Sequence, residues 1–424
     1  MPKPWYHPNP IRGGGNAQYT GVDHVLAEPW KEERRNVRLV AHSDLNGWGD
    51  AFQIQVGGGI CYVAASGVNG HDGMTILDVK DPSKPKIINQ IVDTPAARTH
   101  KVLRINEEVL ITNSELRPNL RAKYPDVIGG LRIFDNRDPF HPKFVNYVEV
   151  DGFGIHRPIY DRKRKLMYSS GFRDGFEGKI LLVHDFKDPW SPQLIGWGWV
   201  PGQKEGEKPS WDPALVGDGA WLHEGNPFGN YVTAGYWDSG YAMFDLTDPA
   251  RPKLMWRQNP HETHGWAGCY HSFLVPDGSE FGIVTQETTT VNCDHPPAFV
   301  TFLDMRNIQN PLICSTFQPY EIDPAEMRPL DPKWSRTGAR YGAHNIWLDM
   351  TKDDLMYICW FNAGLRVVDW SNPFRPKEVG YYIPEGNKFR GCPQSNDVQV
   401  DKATGLIYVA DRWGLGLHIL EYTG

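Results

Sequence analysis

The chain has 424 residues, 40% hydrophobic and 22% charged, with a formal net charge of −7. That balance is ordinary for a globular protein; no Lys/Arg run offers a nucleic-acid tract, and no window of about 18 apolar residues offers a membrane span. Neither nucleic acid nor a membrane is expected as a partner.

From the N-terminus, Met1 to Pro10 is proline-rich and lacks the apolar stretch of a secretory signal. The six cysteines, Cys61, Cys269, Cys293, Cys314, Cys359 and Cys392, include no Cys-x-x-Cys pair, which suits reduced thiols and a cytoplasmic protein. Residues 1–35 read as an N-terminal extension and residues 36–424 as one domain. Its first strand lies in NVRLVAHSDL, residues 36 to 45.

A motif then recurs: an apolar run ending in Asp, two residues, Asp or Asn, Pro, two residues, Pro. It appears as ILDVKDPSKPK from Ile76, IFDNRDPFHPK from Ile133, LVHDFKDPWSPQ from Leu182 and AMFDLTDPARPK from Ala242. FLDMRNIQNPL from Phe302, which lacks the first Pro, and VVDWSNPFRPK from Val367 complete the series. Asx side chains accept local backbone N–H bonds, and proline ends a ladder, so each copy is a turn between two strands. Two strand-like runs precede each turn and one follows it. The unit is four antiparallel strands, a to d, which at this repeat length is a propeller blade.

Six units are complete. A seventh has strands near Asn396, Gly405 and Gly416 but no strand d, and residues 36–45 can supply it. The expected fold is therefore all-β, a seven-bladed β-propeller closed by an N-terminal strand. These units resemble the LVIVD-repeat propeller proteins. The resemblance implies a fold; that family is functionally mixed, so function has to come from the site.

Alignment of the innermost strands gives one column: Asp50, His100, His156, His223, His271, His344 and Asn396. With 15 histidines in 424 residues, chance would place none or one in seven positions, and this column holds five. Strand a lies nearest the axis, so these side chains converge from different blades. Neutral imidazoles arranged this way suit one transition-metal ion, Fe, Cu, Zn or Mn, without choosing among them. An inherited histidine that merely bonds its neighbours, or a wet polar channel, is the competing explanation.

Glu115 and Glu287, at the ends of strand b, are expected to orient ligand imidazoles or act as bases, with Asp50 and Asn396 as further members of the site. Glu224 follows His223 and, by strand alternation, should point away. Phe172, Trp237, Trp360, Phe361 and Trp413 offer an apolar wall for a small-molecule substrate, and Arg173 and Arg412 a place for an anionic group. The long connections, residues 116–130, 201–219, 256–268, 288–297, 318–342 and 384–393, all fall on this one face. His24, His42, His71, His261, His264 and His295 read as surface residues. The expected function is a metal-dependent enzyme, an oxygenase or other oxidoreductase acting on an apolar or aromatic molecule. A metal-dependent hydrolase or lyase, and a non-enzymatic interaction scaffold, remain alternatives.

Overall fold

A computed structural model describes residues 29–66, 72–93, 97–117, 123–211, 220–260, 269–288, 298–323, 328–334, 340–387 and 391–424. His24, His71, His261, His264, His295, Cys293 and parts of the long connections lie outside the described residues. No disulfide joins the five described cysteines. Among the described residues no helix is long and apolar enough to cross a membrane.

Seven antiparallel sheets follow one another along the chain as the blades of a propeller. Blade 1 comprises Ala51–Gly57, Ile60–Ser66, Asp72–Asp78 and Lys86–Val92 as strands a to d. In blade 2 strand a is split into Ala97–Arg98 and Val102–Arg104, followed by Val109–Leu116, Gly129–Asp135 and Lys143–Val150. Blade 3 is Ile155–Asp161, Leu166–Gly171, Ile180–Asp185 and Gln193–Gly198, and blade 4 is Glu224–Phe228, Tyr231–Gly235, Tyr241–Asp245 and Lys253–Gln258. Blade 5 is Cys269–Leu274, Phe281–Glu287, Val300–Asp304 and Leu312–Phe317. Blade 6 has Met356–Cys359, Leu365–Asp369 and Lys377–Ile383; its inner edge is an irregular segment in which Ile346 bridges to Ile358.

The repeated turn is built as its chemistry requires. Asp78, Asp135, Asp185, Asp245, Asp304 and Asp369 each accept the N–H two residues on, at 2.8 to 3.1 Å. Every blade also carries a bulge between strands c and d, which steepens the local twist.

Blade 7 consists of Ser395–Asp401, Leu406–Asp411 and Gly416–Tyr422, and its outer strand is Val37–Ser43. Val37 pairs with Tyr422 and Ser43 with Leu417, so the two ends of the chain close the ring in one sheet and leave no open edge there. The residues just upstream are built in as well. Glu33–Arg35 adds to the outer edge of blade 6, and buried Trp30 stacks near Trp334 at 5.0 Å between ring centres. Blade faces pack on one another through Val, Ile, Leu and aromatic side chains, and the largest such cluster joins blades 5, 6 and 7.

Candidate metal centre

The column residues do not sit in plain strand. In blades 3, 5 and 7 the a–b register shifts between Ile155 and Arg157, Tyr270 and Ser272, and Ser395 and Asp397, leaving His156, His271 and Asn396 as the bulged residues. A bulge turns the extra side chain off the sheet's alternation, here towards the axis. Blade 1 has its shift between Ala51 and Ile54, so blade 1 presents Phe52 rather than the expected Asp50. Asp50 is buried two residues upstream, close enough to Asp72 and Arg117 to act on their charges.

The five rings form an arc. Centroid separations are 4.3 Å for His100–His156, 4.8 Å for His156–His223, 4.0 Å for His223–His271 and 4.5 Å for His271–His344. Phe52 closes one end, 4.4 Å from His100, and Phe361 the other, 4.6 Å from His344. Side chains bond to the next blade's backbone around this ring. His223 Nδ1 meets the His271 carbonyl at 3.1 Å, His344 Nδ1 the Asn396 carbonyl at 2.7 Å, and Asn396 Nδ2 the Phe52 carbonyl at 2.5 Å.

Those partners fix the tautomers. A carbonyl or carboxylate only accepts, so Nδ1 of His223 and His344 carries the proton, as does Nδ1 of His156, 2.8 Å from Glu115 Oε2. Each Nε2 is then a bare lone pair. The Nε2 atoms of His156 and His223 lie only 3.1 Å apart. Protonating one is costly: burial first, then neighbouring cations, pushes His223 far down, and burial holds His156 down to about 3. Two facing lone pairs at that distance repel unless a cation lies between them.

Both expected carboxylates are in place. Glu115 touches His156, lies 3.1 Å from His100 Nε2 and 2.5 Å from Arg98, with Lys179 3.8 Å away. Burial pushes the Glu115 carboxyl up, but Arg98, His156 and Lys179 outweigh it and hold it well below the usual range. Glu287 stands 3.5 Å from His344, 3.9 Å from His223 and 4.0 Å from His271, with Arg340 at 3.1 Å. It therefore stands among the imidazoles rather than behind them. Two groups, His100–Glu115–His156 and His223–His271–Glu287, bring their donor atoms within 4.8 Å of one another and could hold a metal.

Other expectations divide. Trp237 and Phe361 both have positive φ, 42° and 43°, a strained choice for aromatic residues, and both lie beside column histidines. Arg412 sits 4.6 Å over Phe52. Arg173 instead stacks on Trp197 of the outermost strand of blade 3, and Phe172 packs on Phe153 and Trp221. Trp360 and Trp413 belong to the hydrophobic core. Glu224 does not point away from the channel lining: it pairs with Arg157 at 3.0 Å, and Arg157 reaches Asn345 of blade 6 at 2.7 Å, across the axis from blade 3. The bulge at His156 explains the inward course of Arg157, since it lets two successive residues face inward; Glu224 follows His223 at the first position of its strand, which has no bulge. Arg98, Lys179 and Arg340 were not legible as site residues; each meets Glu115 or Glu287 at a position that no repeat of the sequence marks.

The LVIVD repeat matches residues 48–94 and 343–383, in blades 1 and 6. The chain carries LVIVD repeats. No curated protein matches the chain. Among solved structures it is similar to a protein from Lactobacillus plantarum, at 12% identity over 82% of this chain and 87% of that one, TM-score 0.57. Raptor from Chaetomium thermophilum is similar at 11% identity over 94% of this chain and 30% of that chain, TM-score 0.54. A chain of the mitotic checkpoint complex matches at 11% over 93% and 98%, TM-score 0.52. At such identities the likeness is one of fold alone.

The buried imidazoles also set a pH dependence. Burial lowers the pKa of His100, His156, His184, His223, His271, His344 and His418 from 6.5. Between 6.5 and those lower values the unfolded chain binds protons that the native one does not, so stability falls as pH falls. Asp72, Asp397 and Asp411, raised by burial to about 8, 7 and 6, act in the opposite direction above 3.8. Seven groups outweigh three. The melting temperature of metal-free protein is expected to drop steadily from pH 6.5 to about 4.5; a flat or rising profile would show that the histidines are not buried neutral.

Proposed function

We propose that the axial histidines hold one transition-metal ion and that the protein is a metal-dependent oxidoreductase acting on an apolar or aromatic small molecule. The observation that carries this is the pair of Nε2 lone pairs, on His156 and His223, 3.1 Å apart in a buried site. Two nitrogens about 2.0–2.1 Å from one ion stand about 3 Å apart, so a shared cation accounts for the spacing. His344 would join through Nε2, with His100, His271 and Glu287 at hand to complete the set.

Five imidazoles and a carboxylate are more than a tetrahedral zinc site needs, and favour a metal of higher coordination number such as iron. When bound, the ion would supply Lewis acidity and, if iron or copper, one-electron chemistry. The chain's own residues do the rest. Glu115 orients His156 and keeps its proton on Nδ1. Arg98, Lys179 and Arg340 offset the two carboxylates, so that the ion's charge is not cancelled. Phe52 and Phe361 exclude water at the ends of the arc. Lys179, buried beside Glu115 and brought down to about 8 by burial, can give or take a proton near neutrality. That same lysine favours the second reading, a hydrolase or lyase, should the ion be zinc.

Reconstitution of untagged protein with Fe(II), Cu(II), Mn(II) and Zn(II) in parallel separates these. Stoichiometric iron or copper, with imidazole couplings in the electron spin-echo spectrum, is expected. Selective zinc uptake with ester hydrolysis would favour the second reading, and binding of none of the four would leave the propeller a non-enzymatic scaffold.

A further inference from the structure

Arg340 bears on where Glu287 stands. Its Nη1 donates to Glu287 Oε1 at 3.1 Å, while Glu287 Oε2 lies 3.9 Å from His223 and 4.0 Å from His271. Arg340 is in turn held from blade 6. Asn362 N donates to the Arg340 carbonyl at 3.2 Å, and Asn362 Nδ2 donates to the Trp334 carbonyl at 3.0 Å. One fully buried residue thus pins both Trp334 and Arg340. Asn362 directly follows Phe361, the ring that closes the arc beside His344.

Trp334 is packed by the N-terminal arm. It is fully buried, its ring 4.5 Å from Tyr320 and 5.0 Å from Trp30. Lys333 lies 4.4 Å over Trp334 and 5.8 Å over Trp30, and pairs with Glu33 at 3.3 Å. Trp30 also has a seat in a second long connection of the same face. Its N–H donates to the Gly391 carbonyl and its carbonyl accepts from Gly386 N, both at 2.7 Å. The seat needs bare backbone, since a Cβ on Gly386 would run into the Gly391 carbonyl and stand 3.0 Å from the Trp30 nitrogen. The arm therefore joins the connection that leads to His344 with the one that leads to Asn396. Covering the outer edge of blade 6 would require only Glu33–Arg35, where the strand pairing lies.

We propose that Trp30 is a positioning residue for the axial site: through Trp334 and Asn362 it keeps Arg340 on Glu287, and so sets how closely that carboxylate approaches an ion among the imidazoles. The proposal rests on the metal-centre reading for what Glu287 does to the ion, but not for the coupling between Trp30 and Arg340. Without the Trp30 ring, Trp334 loses one of its packing partners, and the hold of Asn362 on Arg340 should open more often.

The test is hydrogen exchange on the metal-free full chain, read peptide by peptide by mass spectrometry. In Trp30→Ala, amides at 340–344 and 360–364 should exchange about tenfold or more faster, with the ladders of blades 3 and 4 within about twofold of wild type. Trp30→Phe, which keeps a ring, should restore most of the protection. Trp370→Ala is the control for a loosened blade: Trp370 belongs to the same core cluster but bonds the Asp354 carbonyl at 2.7 Å, and 340–344 should stay protected. If Trp30→Ala does not fold, Lys333→Gln, which removes the pairing with Glu33, carries the same comparison. Unchanged exchange at 340–344 in the folded variant, or an acceleration matched by Trp370→Ala, would overturn the proposal. In copper-loaded protein the electron paramagnetic spectrum of Trp30→Ala should shift towards oxygen coordination as Glu287 is released, and Trp30→Phe should shift it back. An unaltered spectrum would overturn the effect on the ion. Failure of the wild type to take up copper would count against the metal centre, and the exchange data would then decide the coupling alone.

Discussion

His156→Ala and His223→Ala are each expected to lower metal affinity by more than about 100-fold while leaving the propeller folded. Loss of a residue that merely orients a ligand costs about 10- to 100-fold, and on the proposed reading these two would supply the ligand atoms themselves. Their Nε2 atoms face each other at 3.1 Å, so removing either one abolishes the shared position between them. The fold is expected to survive because the blades are held by their own ladders and faces, and side-chain truncation at the bulged His156 or at His223, just before its strand, leaves those ladders in place. The double variant should be scarcely worse than either single one, because ligands of one ion act together. His141 is the matched control: it is exposed in the c–d turn of blade 2, 3.0 Å from Asp138, and His141→Ala should keep full metal occupancy. Plasma emission analysis after dialysis against a weak chelator reads all four proteins.

Removing residues 1–43 is expected to leave a chain that aggregates on expression. The deletion takes away Val37–Ser43 and exposes the whole edge of Gly416–Tyr422 at the seam of the ring. An unpaired, apolar edge strand templates association with other chains. Trp30, buried against Trp334, and the Glu33–Arg35 edge of blade 6 go with it, so the loss reaches two blades. Supplying residues 29–45 as a synthetic peptide during refolding should restore solubility. Soluble truncated protein with the same melting transition would mean that the ring closes without this strand.

The blade pattern was readable because its signal is local. Asp, Asn and Pro at fixed offsets specify one turn geometry, and six copies of that turn set the period. Even the closing strand could be read, since a unit lacking strand d and a spare strand at the other end complement each other. The histidine column was readable for the same reason: repeats put equivalent residues at equivalent places. What escaped the sequence is whatever the backbone does out of period. The bulge that replaces Asp50 by Phe52 shifts a register without changing the apolar pattern. Bulging at His156 also turns Arg157 inward, where it pairs with Glu224. Lys179 reaches Glu115 from another blade, and the chain separation between them carries no periodic mark. Arg173 shows the converse: its position at a strand end promised the site, but its guanidinium found Trp197, 3.7 Å away on the outer strand.

X-ray absorption at the metal edge bears most directly on the central claim, that the axial imidazoles bind one ion. On protein reconstituted with iron or copper, the fine structure should contain the multiple-scattering signature of at least three imidazoles at about 2.0–2.2 Å. In His223→Ala that imidazole count should fall, or the stoichiometric metal should disappear. A spectrum fitted by oxygen ligands alone, or one identical in wild type and His223→Ala, would contradict the claim and leave the five histidines as lining of a polar channel.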